Sequence, residues 1–143
     1  MRNHDIGVTV DNVIFYQEKN NLFVLLVQRG VDPFKGMWCL PGGFLKSQET
    51  LEAGAKRELE EETGLKIEKL EQVKAFGKLD RDPRGRTISI AFWGKVDALT
   101  DVKGQDDAMN AEWFNIDKIP ELAFDHKEIY QEAFKSFKNL KLS

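Results

Sequence analysis

Residues 41–65 read Pro-Gly-Gly-Phe-Leu-Lys-Ser-Gln-Glu-Thr-Leu-Glu-Ala-Gly-Ala-Lys-Arg-Glu-Leu-Glu-Glu-Glu-Thr-Gly-Leu, and no other stretch constrains the chain as strongly. A glycine-rich entry gives way to a helix. Thr50 is a natural N-cap, Leu51, Ala55 and Leu59 recur every four residues as an apolar stripe, and Gly64 offers the left-handed residue that stops a helix. Glu58, Glu61 and Glu62 stand at i, i+3 and i+4, so their side chains converge on one face. Glu62 falls in line with the apolar stripe, where a plain packing helix would carry another aliphatic. Like charges so spaced repel by roughly 0.2–0.5 kcal/mol per exposed pair, and by more when partly buried. A divalent cation removes that penalty, and three carboxylates suit a hard ion such as Mg²⁺ or Mn²⁺. Taken alone, a Glu-rich helix face is more often a solvated face, and that reading stands beside metal binding.

The 143 residues suffice for one domain with a sizeable core and are too few for two, so a single domain over 1–143 is expected. With 41% hydrophobic and 31% charged residues the composition is that of a soluble globular protein. A net charge of −3 provides no basic field for nucleic acid. No apolar leader follows Met1 and no apolar run is long enough to span a bilayer, which points to the cytoplasm and away from membranes. The single cysteine, Cys39, forbids an internal disulfide and, between Trp38 and Leu40, reads as a buried thiol.

Along the chain, residues 6–16 and 22–27 read as strands joined by a polar turn at 17–21, and residues 30–36 as a loop. Residues 38–40 form a short strand running into the Pro-Gly-Gly turn. After the helix, residues 65–79 read as one long strand or two, 80–86 as a charged turn, and 87–96 as an alternating strand. An acidic loop at 100–108 precedes a short strand at 111–116, and residues 125–140 carry the 3–4 spacing of an amphipathic helix through Ile129, Ala133, Phe134 and Phe137. Strands with two interspersed helices suggest a mixed sheet between helices.

Gly43, Glu49, Arg57, Glu58, Leu59, Glu61, Glu62, Gly64 and Leu65 together resemble the signature box of the Nudix hydrolases, at every specified position. The resemblance implies an α/β/α sandwich with a mixed sheet, and hydrolysis of a nucleoside diphosphate linked to a further group. It implies metal ligation by Glu58, Glu61, Glu62 and the Gly43 carbonyl, the latter freed by a turn that glycines take easily. Arg57 would pair with Glu49 and aim Glu58, and an acid from a later loop, Asp107 or its neighbour Asp106, would act as base or extra ligand. A pyrophosphate can sit among these carboxylates only through bridging cations, which would polarise it and lower the pKa of a bound water.

The Asp-Pro-Arg-Gly-Arg segment at 82–86 and Leu122-Ala-Phe-Asp-His126 resemble the ADP-ribose pyrophosphatase branch of that family. That implies cleavage of ADP-ribose to AMP and ribose 5-phosphate, with Arg29, Arg81, Arg84, Arg86 and Phe34 as candidates for binding the substrate. Trp38 and Phe124 are further stacking candidates, and His126 reads as a capping or packing residue. A hydrolase of modified nucleoside triphosphates or dinucleoside polyphosphates is the alternative within enzymes. A non-catalytic ADP-ribose sensor is the alternative of another class, against which stand the complete box and an end at Ser143 that leaves no room for a DNA-binding module. The resemblance also implies a homodimer.

Overall fold

The long first strand, β1 (Gly7–Glu18), organises the sheet. It turns at Lys19 and Asn20 into β2 (Asn21–Arg29), with Lys19 at φ 55°. The strands extend further into the expected polar turn than composition suggests, because Gln17 and Glu18 still pair across the hairpin with Leu22 and Asn21. One edge of β1 runs parallel to β6 (Thr87–Val96) from Gly7↔Thr87 to Tyr16↔Val96. Its other edge is shared. The C-terminal part pairs with β2 and the N-terminal part, Thr9 to Asp11, with β4 (Gly42–Phe44). The short β3 (Trp38–Cys39) and β7 (Ala108–Asn115) flank β2, and β5 (Glu71–Phe76) closes the far edge beyond β6. This computed structural model describes residues 5–142, so the expectation about a leader, which rests on residues 1–4, lies outside the described residues.

Two helices cover the two faces of this mixed sheet, α1 (Leu51–Thr63) and α2 (His126–Leu142). Alternation along β1 explains why it is apolar on both sides: Val10 and Ile14 pack with Ala55 and Leu59 of α1, while Val13 and Phe15 pack with Ile129, Ala133 and Phe137 of α2. The α/β/α sandwich expected from the sequence is the fold. Among the described residues no helix is long and apolar enough to cross a membrane.

Besides β4, a strand where the Pro-Gly-Gly turn was expected, two elements differ from expectation. Residues 65–70 form no strand, because Leu65 and Leu70 turn inward from the left-handed Gly64 (φ 78°) to join the core beneath α1. The last strand begins at Ala108, so the acidic loop is shorter at its C-terminal end than its composition suggested.

Asn12 ties these layers together. Fully buried on β1, it donates through Nδ2 to Pro41 O at 3.3 Å and Ala55 O at 3.0 Å, joining the strand to the loop ahead of β4 and to α1. Its Oδ1 has no partner, so the residue already carries one unmet acceptor. Asn12→Ala is expected to destabilise by about 2 kcal/mol, since two buried side-chain hydrogen bonds would be lost while Pro41 O keeps only the bond from Asn12 N. Urea unfolding should show a lower midpoint at unchanged slope.

Candidate active site

The helix that carries the acids is fixed at both ends. Thr50 Oγ1 accepts from Ala53 N at 3.1 Å, and Gly64 N–H donates back to Glu60 O at 2.8 Å. Between these caps, Arg57 gathers the surrounding carboxylates. Its Nε and one terminal nitrogen donate to the two oxygens of Glu49, both at 2.7 Å. The other terminal nitrogen reaches Glu58 at 2.7 Å and Glu61 at 3.1 Å. Glu49 also accepts from Lys46 N at 2.8 Å. The guanidinium holds the Glu49 carboxyl down to about 2, and Glu49 in turn raises the pKa of Arg57.

Glycine is required at positions 42 and 43 for close approach rather than for a turn. Both lie in β4, neither at positive φ. A Cβ on Gly42 would stand 2.1 Å from Val10 O, and one on Gly43 would stand 2.4 Å from Glu58 Oε2. The ladder alternates between Asn12 N→Pro41 O and Leu45 N→Val8 O, so the intervening Val10↔Gly43 pair turns the Gly43 carbonyl toward β1. The edge facing α1 carries Gly42 N–H, which donates to Glu62 Oε1 at 2.9 Å, and Phe44 O, which accepts from Arg57. The backbone oxygen between these two groups on that edge is Gly42's, whereas the Gly43 carbonyl faces β1.

A cleft of about 310 Å³ opens beside this edge. Glu58 and Glu62 line it. Burial pushes both carboxyls up, Glu62 to about 8, with Glu58 and Asp11 adding to the effect on Glu62 and the Gly42 N–H opposing it. Glu61 does not line the cleft. It is 40% exposed on the flank of the helix, held by Arg57 and beside Gln105.

Of the other expected residues, Arg29, Arg81, Arg84, Asp106 and Asp107 line the cleft. Arg81 is spent in a buried pair with Asp125, 2.9 and 2.6 Å on the two carboxylate oxygens. Arg84 is held by Asp82, and its guanidinium lies over Phe44 at 4.6 Å and over Phe124 at 5.3 Å. Arg29 lies over Phe124 at 5.1 Å. Arg86 is turned to the carbonyls of Gly77 and Lys78, where it braces the 80–86 hairpin tip rather than the cleft. Phe34 packs edge-on against Phe124 at 4.8 Å in a neighbouring hollow, and Trp38 packs on Phe114 with the core. Asp106, at φ 56°, is the member of its pair whose charge acts on Glu58, while Asp107 O accepts from Gly30 N.

The NUDIX domain model matches residues 6–133. The chain belongs to the Nudix family. It is 42% identical over 127 residues to an ADP-ribose pyrophosphatase of Methanocaldococcus jannaschii, covering 88% of this chain and 72% of that protein. It is also 35% identical to the ADPR-responsive transcriptional repressor NtrR of Acinetobacter baylyi, over 92% of this chain and 54% of the repressor. Among solved structures, the NUDIX domain of Shewanella oneidensis NrtR complexed with ADP ribose superposes with a TM-score of 0.83 at 32% identity, covering 91% of this chain and 87% of that one. A MutT/nudix family protein from Enterococcus faecalis superposes at 0.90 and 31% identity, covering 97% of this chain. This chain spans about two thirds of that protein, at 64%, and about half of the repressor.

Nudix hydrolases generally use divalent metal ions, and the donor set here fits one. Among the described residues no three acidic, histidine or cysteine side chains are already gathered in ligand geometry. Two carboxylates nevertheless share the cleft wall with a backbone edge stripped of Cβ atoms, and burial makes their ionisation costly. Hard oxygen donors with few protein ligands suit an ion that keeps waters and phosphates in its shell.

Three further residues line the cleft without reading as site residues in the sequence: Asp11 is not singled out, Asp82 enters only as part of the 82–86 segment, and His126 reads as a capping or packing residue. Asp11 lies inside a strand that reads as plain β, Asp82 inside a turn, and His126 at a helix start. Asp82 is buried, and the Arg84 side chain and backbone N–H overcome that burial to hold its carboxyl below the usual range. Asp11 is buried with Ser89 donating to its Oδ2. His126 Nδ1 accepts from Leu40 N at 2.9 Å. An acid or imidazole at an inward strand or helix position among aliphatics is the signal that could have found two of them.

Proposed function

We propose that this chain hydrolyses ADP-ribose to AMP and ribose 5-phosphate with Mg²⁺ or Mn²⁺. The observation that carries this reading is one cleft lined both by Glu58 and Glu62 of α1 and by Arg29 and Arg84, which lie over Phe124. Glu58, Glu62 and the Gly42 carbonyl would hold the cation, which when bound polarises the diphosphate and lowers the pKa of water. Arg57 keeps Glu58 aimed, and Arg29 and Arg84 neutralise substrate phosphate.

In the reaction a water oxygen bonds to phosphorus, the bridging P–O bond breaks with its electron pair leaving on the departing phosphate, and the water proton passes to a carboxylate. Asp106 is taken as that base ahead of Asp107: both line the cleft, and the backbone oxygen of Asp107 is tied to Gly30 N. Asp106→Asn is expected to lower kcat by about 10²-fold, and Asp107→Asn by less than tenfold, in steady-state assays. Asn tolerates the left-handed backbone at position 106, so the turn survives the exchange.

The test is phosphate release through a coupled phosphatase over ADP-ribose, diadenosine polyphosphates and modified nucleoside triphosphates, with and without Mg²⁺. Cation-dependent turnover of ADP-ribose above the others supports the reading. Turnover of a triphosphate instead would replace the substrate. Tight ADP-ribose binding without turnover would favour a sensor, as in the NtrR and NrtR relatives.

A further inference from the structure

The hairpin tip at 80–86 carries a buried carboxylate that the proposed reaction does not use. Asp82 lines the cleft, yet its side chain is only 2% exposed. A buried charge is costly unless a partner compensates it, and every side-chain hydrogen bond of Asp82 goes to Arg84. Oδ1 accepts from Arg84 N at 2.9 Å and from Nε at 3.1 Å, and Oδ2 accepts from Nη2 at 2.8 Å. The first bond closes the turn, which the side chain of an asparagine would do as well. The other two hold the guanidinium along one side. The ring centres of Phe44 and Phe124 lie 4.6 and 5.3 Å from its carbon, which hems it in further. Nη1 has no hydrogen bond among the described residues, and the Arg84 side chain, 37% exposed, lines the same cleft.

An arginine free to rotate loses that freedom when it grips a ligand, and one already held loses little. We propose that Asp82 is a positioning residue for the substrate, its carboxylate holding the Arg84 guanidinium so that Nη1 donates to a phosphate oxygen of the nucleoside diphosphate. This rests on reading the cleft as a nucleoside diphosphate site. The pair is neutral overall, so Arg84 supplies a directed donor rather than a net field. Asp82→Asn separates the two contributions. The amide oxygen can still accept from Arg84 N and close the turn, but the charged two-point hold on the guanidinium is lost. The exchange also removes a negative charge from the cleft. Net charge alone therefore has the variant bind a phosphate more tightly, and positioning has it bind more weakly.

Calorimetry with ADP in excess Mg²⁺ tests this without relying on turnover. In Asp82→Asn the ADP affinity is expected to fall by about tenfold. Steady-state assays should show KM for ADP-ribose rising by a similar factor, with kcat within about threefold of the wild type. Placed on Arg84→Met, the same exchange should change ADP affinity by less than about twofold, because no guanidinium remains to be aimed. A role of Asp82 in the fold, or in holding the cation, would persist in that background. ADP binding as tight or tighter in Asp82→Asn, an equal loss in the Arg84→Met background, or no ADP binding by the wild type would overturn the proposal. ADP-ribose turnover is a separate readout. ADP binding that depends on Asp82 through Arg84, without turnover, would sink the proposed reaction and leave the positioning standing. Turnover with ADP binding indifferent to Asp82 would do the reverse.

Discussion

Glu62→Gln is expected to lower cation-dependent turnover by about 10²–10⁴-fold while making the cation-free protein more stable at pH 8. The two effects share one cause. Glu62 sits where the stripe of α1 calls for an aliphatic, and burial raises its carboxyl to about 8, with Glu58 and Asp11 adding repulsion. A folded pKa above the unfolded value near 4.3 means that the folded state binds the proton more tightly. Wild-type stability without cation therefore falls as pH rises from about 4.5 toward 8, the window between the two values. The amide has no such titration and can still accept from Gly42 N–H. Urea unfolding in EDTA should give the variant an advantage of about 1–2 kcal/mol at pH 8 and none from this source at pH 4. A variant that lost stability at pH 8 would mark Glu62 as a packing residue. Glu61→Gln should cost less than about tenfold in turnover, since that side chain is exposed and held outside the cleft.

The same linkage governs the cation. Occupancy needs an ionised Glu62, so binding expels a proton, and apparent affinity should rise by about tenfold per pH unit up to a pH near 8. Thermal unfolding with and without Mg²⁺ at pH 6 and pH 8 measures this. An equal shift in Tm at both pH values would separate the cation from Glu62.

The helix of the site was legible in its caps and its stripe, which are local, whereas the acid spacing did not tell that Glu61 stands outside the cleft. Thr50 and Gly64 end α1 where their chemistry says a helix should end. The β4 glycines were legible as necessary but not for the right reason. Their role depends on Val10 and Glu58 arriving from elsewhere in the chain, which no local pattern encodes. The arginines at 80–86 form one cluster in sequence and three roles in space. Arg81 is buried against Asp125, 44 residues away, Arg84 stands over Phe44 and Phe124, and Arg86 braces its own hairpin. Asp11 is not singled out, and His126 reads as a capping or packing residue without its partner, because each meets that partner through tertiary contact alone: β1 with β6 in one case, α2 with the chain ahead of β4 in the other. Long-range pairing is where sequence pattern stops informing.

Arg57→Lys is expected to lower kcat by about 10²-fold and cation affinity by 10- to 100-fold, with KM for the diphosphate nearly unchanged. The guanidinium makes five hydrogen bonds at once, two to Glu49, one each to Glu58 and Glu61, and one to Phe44 O. Its planar fork spans acids on both sides, whereas the three donors of an ammonium share one nitrogen and cannot bracket Glu49 while reaching Glu58. Charge is conserved in this exchange, so a loss would come from geometry. Glu58 would be freed from its rotamer beside Gly43, and the loop that carries Glu49 would detach from α1. The pair is partly buried, and stability should fall by about 1–2 kcal/mol, too little to unfold the protein. Glu49→Gln keeps part of the fork and should cost less in both cation affinity and rate. Cation affinity left intact in Arg57→Lys would mean that Glu58 holds its position through the contact with Gly43 alone, and that Arg57 only fastens the loop.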